Sequence, residues 1–155
     1  MKKRYDVQAI DIIANVWTPE SNRIRPKRDA FYQGKMKVKK ETAKGITHEE
    51  MLRRMDAAGI ERAFLAATKV GRLGHPACYH IPYEMVAKAV NRYPDRFHGL
   101  AGLDPWEGMQ GVRALEHAVQ DLGFIGAHFY PHWYELAPDH AKLYPFYAKC
   151  CELDI

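Results

Sequence analysis

Short apolar runs alternate with longer segments of helical periodicity along this chain. The apolar runs predict four strands, at residues 7–13, 62–67, 97–103 and 124–129. After each run, apolar residues recur every three or four positions, which predicts a helix. Val112, Leu115 and Val119 give the clearest example. A strand followed by a helix, four times over, is typical of a parallel sheet built from right-handed crossovers.

Local signals mark the ends of the first predicted helix. Thr47 and Glu50 have the spacing of a capping box, in which the threonine hydroxyl accepts from the Glu50 amide and the Glu50 carboxylate reaches back to the Thr47 amide. Gly59 is expected to end this helix in the left-handed conformation. The last predicted helix covers residues 139–153.

Two architectures accommodate this order of elements, an open doubly wound sheet and a (β/α)₈ barrel. No Gly-x-Gly-x-x-Gly sequence follows the first strand, which disfavours the dinucleotide-binding form of the open sheet. Four βα units would be half of a barrel, and a half barrel exposes apolar strand faces and two open strand edges. The hydrophobic pattern alone leaves both architectures open.

Composition and charge narrow the classes of function. The chain is 47% hydrophobic and 27% charged, as in folded globular proteins, and has no apolar run long enough to span a membrane. Three cysteines, two of them adjacent, indicate reduced thiols in the cytoplasm. The formal net charge is +4, and residues 18–46 are predicted to form a long basic loop. No nucleic-acid-binding motif accompanies that loop, so we expect a solvated segment there.

Three segments resemble a known family, and they occur in the family's order. They are Met55-Asp56-Ala57-Ala58-Gly59-Ile60, then Pro94-Asp95-Arg96-Phe97 with Leu103-Asp104-Pro105, then Leu122-Gly123-Phe124 with Glu152-Leu153-Asp154-Ile155. From about residue 7 onward the chain is similar to the amidohydrolase-related family that includes 2-amino-3-carboxymuconate-6-semialdehyde decarboxylase and γ-resorcylate decarboxylase. The motifs are mostly structural, so they identify a scaffold better than a reaction.

The resemblance implies a (β/α)₈ barrel with its active site at the C-terminal ends of the strands, and residues 1–155 as the N-terminal half of that one domain. It implies one divalent metal, zinc or manganese, held in part by a histidine of strand five and an aspartate of strand eight, beyond Ile155. It also implies a hydrolase or a non-oxidative decarboxylase for a small carboxylated substrate, aromatic or lactone. A homodimer, or association with a C-terminal half, is the expected assembly.

Strand one departs from the family's pattern. The Asp-x-His-x-His motif of the family would place histidines at positions 13 and 15, where this chain has Ile13 and Asn15. Isoleucine cannot ligate a metal, and an asparagine carbonyl is a poor ligand for zinc. Three interpretations follow: altered metal binding, metal-free chemistry, or a non-catalytic relative with a binding role.

Candidate site residues lie where the strands end. The candidate catalytic residues are His128, His132 and Asp11, because imidazole and carboxylate groups exchange protons in enzymes. The candidate substrate-binding residues are Asn15, Trp17, Thr68, Lys69 and Tyr130. The basic loop would cover this face and attract an anionic substrate. His80 is expected to be structural and remote from the face.

Overall fold

A computed structural model of the protein describes residues 8–26, 30–72 and 74–155. The strands in chain order are β1 (Ala9–Asn15), β2 (Ile60–Ala67), β3 (Lys69–Val70), β4 (Tyr79–His80), β5 (Phe97–Gly102) and β6 (Gly126–His128). One parallel sheet has the order β1-β2-β5-β6, and β3 and β4 form a small antiparallel hairpin beside it. Each strand of the parallel sheet therefore pairs with the next one along the chain. The order never reverses, which fits successive barrel strands and not a doubly wound sheet.

Helices follow the strands as the pattern predicted, but the last one begins at Tyr144 and not at residue 139. They are α1 (Pro19–Ile24), α2 (Lys40–Ala43), α3 (His48–Ala58), α4 (Tyr83–Arg92), α5 (Met109–Gln120), α6 (Pro131–Tyr134) and α7 (Tyr144–Leu153). A π-helical turn covers Ala30–Lys35, and 3₁₀ turns cover Pro105–Glu107 and Ala141–Leu143. Residues 18–46 are thus not the continuous loop that was predicted, since they hold α1, the π-helical turn and α2.

Side-chain capping explains why the chain turns helical directly after β1. The Ser21 amide donates to Thr18 Oγ1 (3.1 Å), and the Thr18 amide donates to Ser21 Oγ (3.0 Å). This reciprocal pair is a capping box in which serine replaces the usual glutamate, so the sequence pattern did not reveal it.

The predicted capping box of α3 is half right. Thr47 Oγ1 accepts from the Glu50 amide at 3.2 Å, as expected. The Glu50 carboxylate does not reach back, because it pairs with Arg53 and Arg54 instead. Gly59 ends the helix with φ of 75°, which confirms its predicted role.

All four strands of the parallel sheet differ from the prediction at one end or more, since β2 begins at Ile60, two residues early, and β5 ends at Gly102, one residue early. β1 extends to Asn15, two residues past the predicted end, and Val7 lies outside the described residues. β6 contains only Gly126–His128 of the predicted 124–129. Phe124 bends away from the ladder because its amide donates to the Ala118 carbonyl (2.9 Å) while its ring packs against Tyr83.

The core lies between the sheet and the helices on its outer side. Leu65, Val86, Phe97, Leu115 and Phe146 are fully buried there. On the edge strand β1, in contrast, Ile10, Ile12 and Ile13 are 44–68% exposed, which is the apolar exposure expected of a half barrel. Among the described residues, no helix is long and apolar enough to cross a membrane.

Gly102 offers a test of the close contact between β2 and β5. A Cβ at this position would collide with the Ala67 carbonyl oxygen and lie 2.8 Å from the Lys69 nitrogen, both backbone atoms. We expect Gly102→Ala to lower the free energy of unfolding by about 1–3 kcal/mol, the usual range for overpacking. Urea denaturation measures this. Gly34→Ala is the control, since its Cβ would meet nothing within 4 Å, and equal effects of the two substitutions would contradict the packing.

Candidate functional site at the carboxyl ends of the strands

A buried arginine marks the carboxyl edge of the sheet. Arg25 follows α1 and is only 6% exposed. Its Nη1 donates to the Val16 carbonyl (3.0 Å) and to Ser21 Oγ (2.8 Å). Its Nη2 is also buried, and within the described ranges it has no hydrogen-bond partner. Burial of a guanidinium nitrogen without a hydrogen-bond acceptor costs free energy, so an acceptor supplied by a ligand would stabilise this position.

Aromatic rings hold the guanidinium in place. Its carbon lies 5.1 Å from the ring centre of Trp17 and 5.4 Å from that of Tyr79. Tyr32 packs edge-on against Trp17, with ring centres 4.9 Å apart. Cation–π contacts of this kind favour the charge without consuming its N–H donors, which leaves Nη2 available.

Two adjoining cavities meet at Arg25. The smaller, of about 160 Å³, is lined by Asn15, Thr68, Tyr79, Tyr130 and Trp133 among others. The larger, of about 470 Å³, extends along β1 past Asp11, Ile13 and Trp17. Its volume lies within the roughly 300–1,000 Å³ typical of small-molecule sites. Asn15, Arg25, Tyr32 and Tyr79 line both cavities.

A row of neutral polar groups faces Arg25 in the smaller cavity. Thr68 Oγ1 donates to Asn15 Oδ1 across β1 and β2, at 3.3 Å. Burial raises the pKa of Tyr130, while the Thr68 side chain and the charge of Arg25 act against that rise. The row therefore stays uncharged near neutral pH and can donate or accept hydrogen bonds. Three of the predicted substrate-binding residues, Asn15, Thr68 and Tyr130, come together here.

The strand-one positions of the family's metal motif line the larger cavity. Asp11, Ile13 and Asn15 all line this cavity, together with Ala14, and a register shift between Asp11 and Ala14 interrupts the regular alternation of β1. Asp11 Oδ1 accepts from the Ile13 amide (3.2 Å), and Asn15 Oδ1 accepts from Thr68. With an alkyl side chain at position 13, these residues do not fit a metal bound in the family's usual way.

His128 lies behind the smaller cavity and does not line it. It is the last residue of β6, is 9% exposed, and packs against the Tyr130 ring at a centroid distance of 5.1 Å. Neither ring nitrogen makes a hydrogen bond of normal geometry to a described residue. Burial lowers the pKa of His128 to about 4, and the Ala67 backbone opposes this only weakly. The imidazole is therefore neutral at pH 7.

The other predicted site residues face elsewhere. His132 is exposed on α6, in a separate cleft with Arg72 and His75. Lys69 points away from Arg25, because its Nζ binds Glu107 Oε2 at 2.5 Å. The candidate catalytic residues His128, His132 and Asp11 thus occupy three different surroundings.

Sequence reasoning did not single out several residues at this edge. They are Arg25, Tyr32, Tyr79, His80, Glu107 and Trp133. A signal existed for Arg25, since it lies in the basic segment predicted to attract an anion, but nothing in the pattern distinguished it from its charged neighbours. His80 was expected to be remote from the face; the structure places it 3.6 Å from Asp104, directly after β5.

The pH dependence of stability tests the burial of His128. A folded-state pKa of about 4, against 6.5 for the free side chain, means that the unfolded chain takes up a proton first as pH falls. Stability is therefore lost between about pH 6.5 and pH 4, by on the order of 3 kcal/mol from this group. We expect His128→Gln to reduce the decline in unfolding free energy between pH 7 and pH 4. The exposed His117→Gln is the control, and identical pH profiles for wild type and His128→Gln would contradict the burial.

Solved structures of known proteins share this fold. A manganese-bound 5-carboxyvanillate decarboxylase from Novosphingobium aromaticivorans, in complex with 3-methoxy-4-hydroxy-5-nitrobenzoic acid, matches with a TM-score of 0.70 and 21% identity, over 96% of this chain and 49% of that one. A 2,6-dihydroxybenzoate decarboxylase in complex with 2,6-dihydroxybenzoate matches with a TM-score of 0.64 and 23% identity, over 96% and 48%. The 4-oxalomesaconate hydratase of Rhodopseudomonas palustris gives 0.59 and 23%, over 94% and 50%.

The chain thus spans about half the length of these proteins. No curated protein matches it. The amidohydrolase family model matches residues 10–155, which is nearly the whole chain. Together with four successive parallel βα units, this match means that the chain belongs to the amidohydrolase family and folds as half of its barrel.

Proposed function

We propose that this chain provides the substrate-binding half of an amidohydrolase-family enzyme, a hydrolase or a carboxy-lyase, that acts on a small aromatic carboxylate. The observation that carries the proposal is the buried Arg25 guanidinium at the junction of two cavities, whose Nη2 has no hydrogen-bond partner among the described residues. An anion is the ligand that such a donor favours most, and a carboxylate matches guanidinium geometry.

The walls of the cavities favour a planar substrate. Tyr32, Tyr79, Tyr130 and Trp133 line the smaller cavity around the polar row. Aromatic side chains bind flat rings by offset or edge-to-face packing. Three of the solved relatives carry a ring with a carboxylate or nitro group in their complexes, and the likeness of fold makes the same class of ligand the first one to test here.

The residues of this half can bind and orient such a substrate. Arg25 would take the carboxylate, and the amide of Asn15 with the hydroxyls of Thr68 and Tyr130 would take ring hydroxyl groups. His128, behind Tyr130, would fix the orientation of that ring. Asp11, which lines the larger cavity together with Asn15, remains the candidate proton acceptor there.

A second function is favoured by one observation. Ile13 occupies the place of a metal ligand in the family, and a protein that had lost its metal would retain the Arg25 cavity as a binding site. Both functions require the same affinity for carboxylates. They differ in turnover, since only an enzyme would release carbon dioxide or a hydrolysis product from the bound ligand.

Ligand binding tests the role of Arg25. We expect the protein to bind 2,6-dihydroxybenzoate at least about tenfold more tightly than resorcinol, which is the same ring without the carboxylate. A hydrogen bond to a charged group contributes about 1.5–3 kcal/mol, or roughly 10–100-fold in affinity. Arg25→Gln should remove this preference while leaving resorcinol binding unchanged, and Arg25→Lys should retain part of it. Isothermal titration calorimetry measures the six affinities, for two ligands with each of the three proteins.

Arg23→Gln is the matched control, because Arg23 lies two residues before Arg25, on α1, but is exposed. Thermal unfolding of each variant shows whether loss of the Arg25 bonds to Val16 and Ser21 disturbs the fold. A wild-type protein without any preference for the carboxylate, or an unaltered preference in folded Arg25→Gln, contradicts the proposal.

A further inference from the structure

A second group of side chains that could bind a metal lies outside the two cavities at Arg25. His80, Asp104 and Glu107 each offer one nitrogen or oxygen atom, and these atoms lie within 4.8 Å of one another. The hairpin brings His80 beside Lys69, since these two residues are directly paired between β3 and β4. Asp104 and Glu107 come from the turn that follows β5.

Each carboxylate has one oxygen engaged and one facing the imidazole. Asp104 Oδ1 accepts from the Trp106 amide (2.9 Å), and Oδ2 lies 3.6 Å from His80 Nε2. Glu107 Oε2 accepts from Lys69 (2.5 Å), and Oε1 lies 3.7 Å from His80 Nδ1. Lys69 and the Trp106 amide thus act as the outer hydrogen bonds that orient metal-ligating carboxylates.

These separations suit a transition-metal ion. Two ligand atoms about 2.1 Å from one zinc ion, at the tetrahedral angle, lie roughly 3.4 Å apart. An ion would take one ring nitrogen of His80 and one oxygen of each carboxylate, and these three atoms lie within 4.8 Å of one another. One imidazole and two carboxylates form a donor set for zinc or manganese, with a coordination position left for water.

The charges leave room for a cation. Asp104 is 1% exposed, and Lys69 provides one positive charge beside two carboxylates. One ammonium group does not balance both carboxylates of the cluster.

A buried hydroxyl gives a further, independent indication. Tyr134 is fully buried, and its hydroxyl has no partner in the part of the chain that the structure describes. Burial, and then the charge of Asp104, raise the pKa of Tyr134, so its hydroxyl stays protonated near neutral pH. An ion can enter from solvent, because a cavity of about 280 Å³ opens beside Lys69, His80 and Glu107.

We propose that His80, Asp104 and Glu107 bind a divalent transition-metal ion, at a position separate from the strand-one positions of the family's metal motif. This site does not depend on the carboxylate-binding function of Arg25. It places a Lewis acid beside the hairpin of β3 and β4, next to the turn that follows β5.

Metal binding to the purified 155-residue chain tests the site. After chelation and dialysis, Zn²⁺ is added and bound metal is counted by elemental analysis, and Co²⁺ absorption reports the ligand geometry. We expect the count to fall by one ion per chain in His80→Gln and in Glu107→Gln, with at least tenfold weaker binding. These two positions are preferred to Asp104, which also caps the following turn.

Two controls come from the same cavity. His117→Gln and Glu84→Gln remove groups that line this cavity without belonging to the cluster. Both variants should therefore bind as many metal ions per chain as the wild type. Lys69→Met removes the ammonium group that pairs with Glu107. It tests whether a metal ion binds to the cluster while the lysine is present, or only after the lysine has been removed. The proposal is overturned if the wild type binds no Zn²⁺, if it binds as much as folded His80→Gln, or if binding appears only in Lys69→Met.

Discussion

A parallel sheet requires the chain to return to the same edge of the sheet before each new strand. The four parallel strands of this protein therefore all end at the same edge of the sheet. The residues that follow them meet there, although they are far apart in sequence. Asn15, Thr68, Asp104 and His128 are neighbours for this reason alone. The helices on the outer side supply the apolar cover that makes the arrangement stable.

The segment after β1 brings a buried positive charge to that edge of the sheet. Two short side chains, Thr18 and Ser21, start a helix at once, and the helix delivers Arg25 back over the strand it has just left. Nonpolar and aromatic surroundings then remove water from the guanidinium, which strengthens its attraction for an anion. A positive charge exposed elsewhere in the same basic segment would be screened by salt.

The sequence was sufficient to predict the elements that depend on local periodicity. Four strands, the helices that follow them and the left-handed Gly59 are all encoded within a few residues of where they act. The short hairpin was not predictable, because two-residue strands have no period to detect. The cluster of His80 with Asp104 was not predictable either, since 24 positions separate these residues and only the finished fold joins them. Arg25 resembles its neighbours in sequence and differs from them only in burial.

Thr68 and Lys69 are adjacent in sequence, yet one lines the cavity of Arg25 and the other belongs to the cluster of His80. Successive residues of an extended chain point to opposite sides. Insertion or deletion of a single residue in β2 would therefore exchange a neutral hydroxyl for an ammonium group on both sides at once. The spacing of this strand, more than the identity of its buried residues, keeps two chemically opposite compartments apart. Relatives that retain both compartments should accordingly vary in the side chains of β2 more readily than in its length.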